Sequence, residues 1–226
     1  MTTEKLGFIG LGTMGLPMSL NLLNAGNDLA IWGRNPDKLK DAVIAGGELM
    51  ATPEKLGEIC DIIFLCVFDS VAVNEVVFGR DGIAKGATKN LMIVDHSSIH
   101  PDHTREMADK LKKDTGASWV DCPVSGGRYG ARDGTLVMMA GGKTKDIKRL
   151  RPIVGATSQR LTHMGPVGCG QATKLVNQAV IGAEIAVLAE MFGFANRYGV
   201  KVKEIPDALA GGWADSTVLQ DHARRM

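Results

Sequence analysis

The sequence is short of several things, and each shortage narrows what it can be. Among 226 residues there are four cysteines, Cys60, Cys66, Cys122 and Cys169. They are scattered, with neither the paired spacing of a zinc site nor the density of a disulfide scaffold. Aromatic residues make up 5%, and the charges nearly cancel to a formal +1. That balance argues against a dedicated nucleic-acid or membrane-surface binder. His96, His100 and His103 lack a cysteine partner and fall in a loop and helix start, so no metal site is expected. The first residues, Met1 to Lys5, lack the apolar run of a secretory signal. The longest apolar stretch, around Ala179 to Ala195, is broken by Glu184 and Glu190 and does not read as a membrane span. The expectation is a cytoplasmic enzyme with reduced thiols.

What the sequence has is glycine, 28 of them, gathered in short turn-like motifs. Strand and helix patterns alternate between these turns. Leu6 to Gly10, Asp28 to Trp32, Asp61 to Val67 and Leu91 to Asp95 read as strands. So do Ser118 to Asp121, Thr135 to Ala140 and Gln159 to Thr162. The continuous apolar runs suit parallel strands covered on both faces, and the rhythm predicts a doubly wound, mainly parallel α/β sheet. It stops near His163. After a loop, a helical segment from Gln171 to Arg197 carries apolar residues nearly all round, which predicts burial on several sides. Short helices are expected near Val202 to Gly211 and Ser216 to Arg225. They cannot cover the long helix alone, so sharing it between subunits of a homodimer or homotetramer is expected.

Gly10-Leu11-Gly12-Thr13-Met14-Gly15 follows a strand and opens a helix, the context a dinucleotide fingerprint requires. Gly10 permits the tight turn, Gly12 the approach of a pyrophosphate, and Gly15 close packing of helix on strand. At the end of the second strand, where an acid would hold the ribose of NAD, stand Gly33, Arg34 and Asn35. A small residue followed by arginine suits a 2′-phosphate, so NADP is favoured over NAD. Asp37 is the alternative ribose partner. Asp95 to Pro101 lies at the carboxyl edge of the sheet, where its hydroxyls either meet a ligand or cap the following helix. Past the next strand, Ser125, Gly126 and Gly127 offer backbone N–H groups and a hydroxyl, a cradle for a substrate carboxylate.

Lys174 is followed by Asn177 and Gln178, which on a helix project beside it. A lysine among carboxamides suits protonation of a carbonyl that receives hydride. The alternative is a surface lysine on an amphipathic helix. The apolar neighbours and the glycine-rich loop before the helix weigh against it.

Together these motifs resemble the β-hydroxyacid dehydrogenase family. The resemblance rests on Gly7 to Met18, Asp95 to Pro101, Asp121 to Gly127, Gly134 to Leu136, Gly141-Gly142 and Gly168 to Gln178. It implies an NAD(P)-dependent oxidoreductase that interconverts a short carboxylated semialdehyde and a 3-hydroxyacid. Lys174 would be the acid/base, and Ser125, Gly126 and Gly127 would bind the substrate carboxylate. Ser98, Val67 and Phe68 would contact the cofactor, while Asn177 and Gln178 would orient substrate and lysine. Many members have a second asparagine where this sequence has Gln178. The stretch Gly211 to Leu219 looks most like the tartronate semialdehyde reductase branch. 3-Hydroxyisobutyrate dehydrogenase proper, an imine reductase and a non-catalytic dinucleotide-binding scaffold are the alternatives. The implied layout is a Rossmann-type domain over residues 1–164 and a helical domain over 165–226. Family members usually continue for several more helices, so that second domain is expected to be incomplete. His96, Arg128 and Tyr129 are suspected of choosing among substrates.

Overall fold

The structure is a computed structural model and describes residues 4–223. Two compact units divide it, residues 1–174 and 175–226. The first unit opens with β1 (Leu6–Ile9), α1 (Gly15–Asn24), β2 (Leu29–Trp32), α2 (Lys40–Ile44), β3 (Glu48–Leu49), α3 (Pro53–Ile59) and β4 (Ile62–Leu65). It continues with α4 (Ser70–Phe78), α5 (Ile83–Gly86), β5 (Met92–Asp95), α6 (Pro101–Thr115) and β6 (Ser118–Asp121). Then follow β7 (Val124–Ser125), α7 (Gly127–Asp133), β8 (Leu136–Gly141), α8 (Thr144–Val154) and β9 (Ser158–Gly165).

The strands are ordered β3-β2-β1-β4-β5-β6-β8-β7, with β9 also paired to β8. The first six are mutually parallel, and their order is that of a Rossmann sheet. Side-chain alternation divides the core. Phe8, Phe64 and Val94 pack into one cluster, Ile9, Leu65 and Ile93 into another. That is the period-two projection expected of strands sandwiched between helix layers, and it explains why β1, β4 and β5 read as unbroken apolar runs.

The far edge departs from the expected parallel series. β8 runs antiparallel to β6 and β7, while β9 is parallel to β8. The strands themselves stand where the sequence places them. Their reversal follows from a tight return: the chain turns back through β7 and the short α7, with no crossover helix long enough to bring β8 round parallel.

α9 (Cys169–Arg197) belongs to both units, and the division falls between Lys174 and Leu175. The sequence puts the domain boundary at 164/165. The difference lies in the first turns of α9, whose Gln171 and Lys174 bond to groups of the first unit. The second unit adds α10 (Ile205–Leu209) and α11 (Thr217–His222). Residues 224 and 225 of the expected last helix lie outside the described residues. Its small core joins Phe192, Leu219 and Ala223, with Leu188, Val202 and Ile205 packed against it. Ser216 caps α11 by accepting the Leu219 N–H at 2.9 Å and also hydrogen-bonds Glu184. Val176, Val180, Val187 and Met191 remain exposed, because the two short helices cover only one stretch of α9. Among the described residues α9 is the one helix long and apolar enough to cross a membrane, by length and composition only.

Candidate functional site

The strand order reverses between β1 and β4, so the loops at their carboxyl ends splay apart and leave a crevice. A cleft of about 710 Å³ lies there, lined by Gly10, Leu11, Gly12, Thr13, Met14, Gly15, Arg34, Asn35, Val67 and Phe68. Ten residues read from separate stretches of sequence therefore line one cavity.

The glycines divide by role. Gly10 has φ +96°, and a side chain there would collide with the Cys66 carbonyl. A Cβ on Gly15 would collide with the Gly10 carbonyl, whereas one on Gly12 would meet nothing within 4 Å. Gly10 and Gly15 are thus required by the fold. Gly12 is not, which leaves close approach of a ligand as its use. Helix α1, just beyond, has no side-chain cap and no acid in its first turn. By contrast, α3, α4 and α6 are capped by Thr52, Asp69 and His100. In α1 the Leu16 and Met18 N–H groups already donate to the Gly12 and Met14 carbonyls and Pro17 has none, so it is the positive dipole end of α1 that suits a pyrophosphate.

At the other end of the cleft the sequence reading is extended. Arg34 is joined by Lys38 and Arg80, two cations it did not single out. Lys38 was legible in principle, four positions after Arg34 on the turn that follows β2. Arg80 comes from the α4–α5 loop, and no sequence spacing connects it to the fingerprint. Asp37, the alternative ribose partner, is engaged elsewhere: it pairs with Lys40 at 2.8 Å, and its N–H donates to Asn35 Oδ1 at 2.9 Å.

The loop after β5 is tied to the cleft wall. Ser97 Oγ accepts the N–H of Val67 at 3.0 Å, and the Ser97 N–H donates to Asp95 Oδ1 at 2.9 Å. Ser98 is exposed beside it, outside the residues that line the cleft. His96, suspected of choosing the substrate, is instead a core residue, 3% exposed. It stacks on Phe64 with ring centroids 5.6 Å apart, and its Nδ1 lies 2.6 Å from the Cys122 carbonyl. The carbonyl can only accept, so Nδ1 donates. Burial pushes the imidazole pKa down to about 4, which keeps it neutral. Burial also pushes Asp95 up to about 7, with Ser97 hydrogen bonds opposing the rise. Asp95 Oδ2 has no hydrogen-bond partner among the described residues.

Asp121 ends β6 and anchors α9. Its Oδ1 accepts the Gly168 N–H at 2.7 Å, and its Oδ2 accepts the Gln171 N–H at 2.8 Å. One turn further, the half-buried Lys174 donates from Nζ to the Val124 carbonyl at 2.7 Å. Val124 immediately precedes Ser125, Gly126 and Gly127, where the two glycines have φ +123° and +59°. The chain therefore brings the lysine to the mouth of the expected carboxylate cradle. Burial lowers the Lys174 pKa below that of an ordinary lysine. Nearby, Arg128 donates to the Tyr129 hydroxyl at 2.9 Å, both side chains being exposed. Asn177 and Gln178 belong to the second unit, where Asn177 Nδ2 donates to Gln178 Oε1 at 3.1 Å. Among the described residues no cluster of three or more potential ligands could hold a metal ion.

A family model described as the NAD binding domain of 6-phosphogluconate dehydrogenase matches residues 5–165. A second, the NAD-binding part of NADP-dependent 3-hydroxyisobutyrate dehydrogenase, matches residues 168–226. The chain is 39% identical over 223 residues to 2-hydroxy-3-oxopropionate reductase of Escherichia coli K12, covering 98% of this chain and 75% of that one. The chain belongs to the β-hydroxyacid dehydrogenase family. Among solved structures it is similar to 3-hydroxyisobutyrate dehydrogenase of Mycobacterium tuberculosis with L-serine, at TM-score 0.90 and 26% identity. That match covers 98% of this chain and 75% of the other. A protein named Psf3, in complex with NADP+ and 2-OPP, matches at TM-score 0.85 and 25% identity, covering 95% and 75%. As a family member the chain is an NAD(P)-dependent hydroxyacid dehydrogenase with a Rossmann-type fold.

Proposed function

We propose that the protein is an NADP(H)-preferring reductase of a short semialdehyde bearing a carboxylate, acting in reverse as a 3-hydroxyacid dehydrogenase. The observation that carries this reading is the 2.7 Å bond from Lys174 Nζ to the Val124 carbonyl, which sets an ammonium beside Ser125, Gly126 and Gly127. The open face of Gly12, the uncapped α1 and the cationic Arg34 and Lys38 fit a dinucleotide carrying a 2′-phosphate. When bound, that dinucleotide exchanges a hydride with the carbon that carries the oxygen.

Ser125, Gly126 and Gly127 hold the substrate carboxylate and fix its carbonyl within reach of Lys174. In the reductive direction Lys174 stabilises the negative charge gathering on the carbonyl oxygen and gives it a proton. In the oxidative direction the neutral amine takes that proton. A pKa depressed by burial favours both roles, since it weakens the hold on the proton and enlarges the neutral fraction. Ser98 meets the cofactor from the loop after β5.

Tartronate semialdehyde is the favoured substrate. The similarity to 2-hydroxy-3-oxopropionate reductase supports this choice, as does the L-serine, a short hydroxylated carboxylate, in the mycobacterial relative. The test is cofactor absorbance with tartronate semialdehyde, methylmalonate semialdehyde and a cyclic imine, each with NADPH and with NADH. Fastest turnover with tartronate semialdehyde and NADPH is expected. Turnover of the imine alone would sink the reading.

A further inference from the structure

The buried amide of Gln171 has a use the reaction does not by itself require. Gln171 is 1% exposed, at the start of α9. Its Nε2 donates to the Ser97 carbonyl at 2.7 Å, and its Oε1 accepts the Ile99 N–H at 3.2 Å. Both ends of the side chain are therefore committed to the loop that follows β5. Its backbone N–H is held by Asp121 Oδ2. The anchor is close-packed: a Cβ on Gly141 would lie 2.5 Å from Asp121 Oδ1, and one on Gly170 2.6 Å from the Asp121 carbonyl. Helix α9 thus has little room to slide or turn at its start.

The bonds form a continuous chain. Val67, in the cleft wall, donates to Ser97 Oγ, Ser97 accepts from Gln171, and Lys174 stands one turn further along the same rigid helix. We propose that Gln171 is a positioning residue, a latch that locks the rotation of α9 to the loop beside the cleft and so holds Lys174 Nζ at the Val124 carbonyl. The latch bears on rate only if Lys174 is the acid/base, and in that respect it rests on the function proposed above. Its claim about where the amine sits stands apart from that function.

Gln171→Met keeps the length and bulk of the side chain but removes both hydrogen bonds. Gln171→Glu keeps an acceptor for Ile99 and loses the donor to Ser97. The experiment measures kcat and cofactor Kd for both variants, and follows the Lys174 amine by NMR titration. A displaced reacting group costs roughly ten- to a hundredfold in rate. Gln171→Met is expected to lose kcat on that scale while cofactor Kd stays within about twofold. Its Lys174 midpoint should rise toward that of an ordinary lysine as the amine loosens into water. Gln171→Glu should lose at least as much, because its buried carboxylate sets an oxygen against the Ser97 carbonyl, and either variant that folds carries the test. A folded variant with unchanged kcat and an unchanged Lys174 titration overturns the latch. If Lys174→Ala itself keeps its turnover, the acid/base reading fails instead, and the NMR titration alone judges the latch.

Discussion

Asp95 and Asp121 are register partners on the adjacent parallel strands β5 and β6, and both are fully buried. They behave differently because they are bonded differently. Asp121 accepts backbone N–H groups on both oxygens at the start of α9, which opposes the upward push of burial on its pKa. Asp95 has one oxygen without a partner among the described residues, and the charge of Asp121 adds to the rise of its pKa to about 7.

That asymmetry predicts a pH dependence of stability. Asp95 has a folded pKa of about 7 against an ordinary 3.8, so the folded state binds the extra proton. Its contribution is fully present below the ordinary value and is lost as pH rises through about 7. His96 works oppositely: with its folded pKa near 4 against an ordinary 6.5, its contribution is present above the ordinary value and lost as pH falls. Asp95→Asn should remove the first dependence and keep the second. The Tm difference, wild type minus variant, should fall between pH 5 and pH 8. A flat difference contradicts the assignment.

Gly10 and Gly12 are predicted to fail in different ways. Gly10→Ala places a side chain against the Cys66 carbonyl at a positive φ and should cost about 1–3 kcal/mol or more in unfolding free energy. Gly12→Ala meets no protein atom, so Tm should hold while dinucleotide Kd rises roughly tenfold or more. Calorimetric melting and a fluorescence titration of cofactor check both.

Cofactor choice is predicted to lie in the cations at the end of β2. A hydrogen bond to a charged group contributes about 1.5–3 kcal/mol, which is roughly ten- to a hundredfold in affinity. Arg34→Ala should weaken NADP(H) on that scale and leave NAD(H) nearly unchanged, with Lys38→Ala acting the same way more weakly. Equal losses for both cofactors would show that neither residue meets a 2′-phosphate.

Much of this site was legible because its chemistry is local in sequence. The fingerprint, Arg34-Asn35 and Ser125 to Gly127 each follow a strand, and an apolar run fixes where the strand ends, whereas Val67 and Phe68 came only from the family resemblance. Lys174 was legible from its helix spacing and apolar neighbours. The 2-residue strands β3 and β7 carry too little periodicity to be seen, and the reversal of β8 depends on β7. Arg80 and the role of Gln171 were hidden for another reason. Each acts across the fold, Gln171 on Ser97 74 positions away, and periodicity carries no information about such pairs. His96 misled because a histidine at a sheet edge looks the same in sequence whether it faces substrate or stacks under Phe64.

The acid/base role of Lys174 is tested most directly by single-turnover rates across pH for wild type, Lys174→Ala and Lys174→Arg. General acid–base catalysis contributes about a hundred- to ten-thousandfold, so Lys174→Ala should lose rate on that scale with cofactor Kd unchanged. Arginine should not restore it, because a guanidinium does not release its proton at these pH values. In wild type the reductive rate should fall, and the oxidative rate rise, through one midpoint below the ordinary lysine value, and Lys174→Ala should lack that midpoint. A folded Lys174→Ala protein with a near wild-type rate and the same pH profile would contradict the assignment.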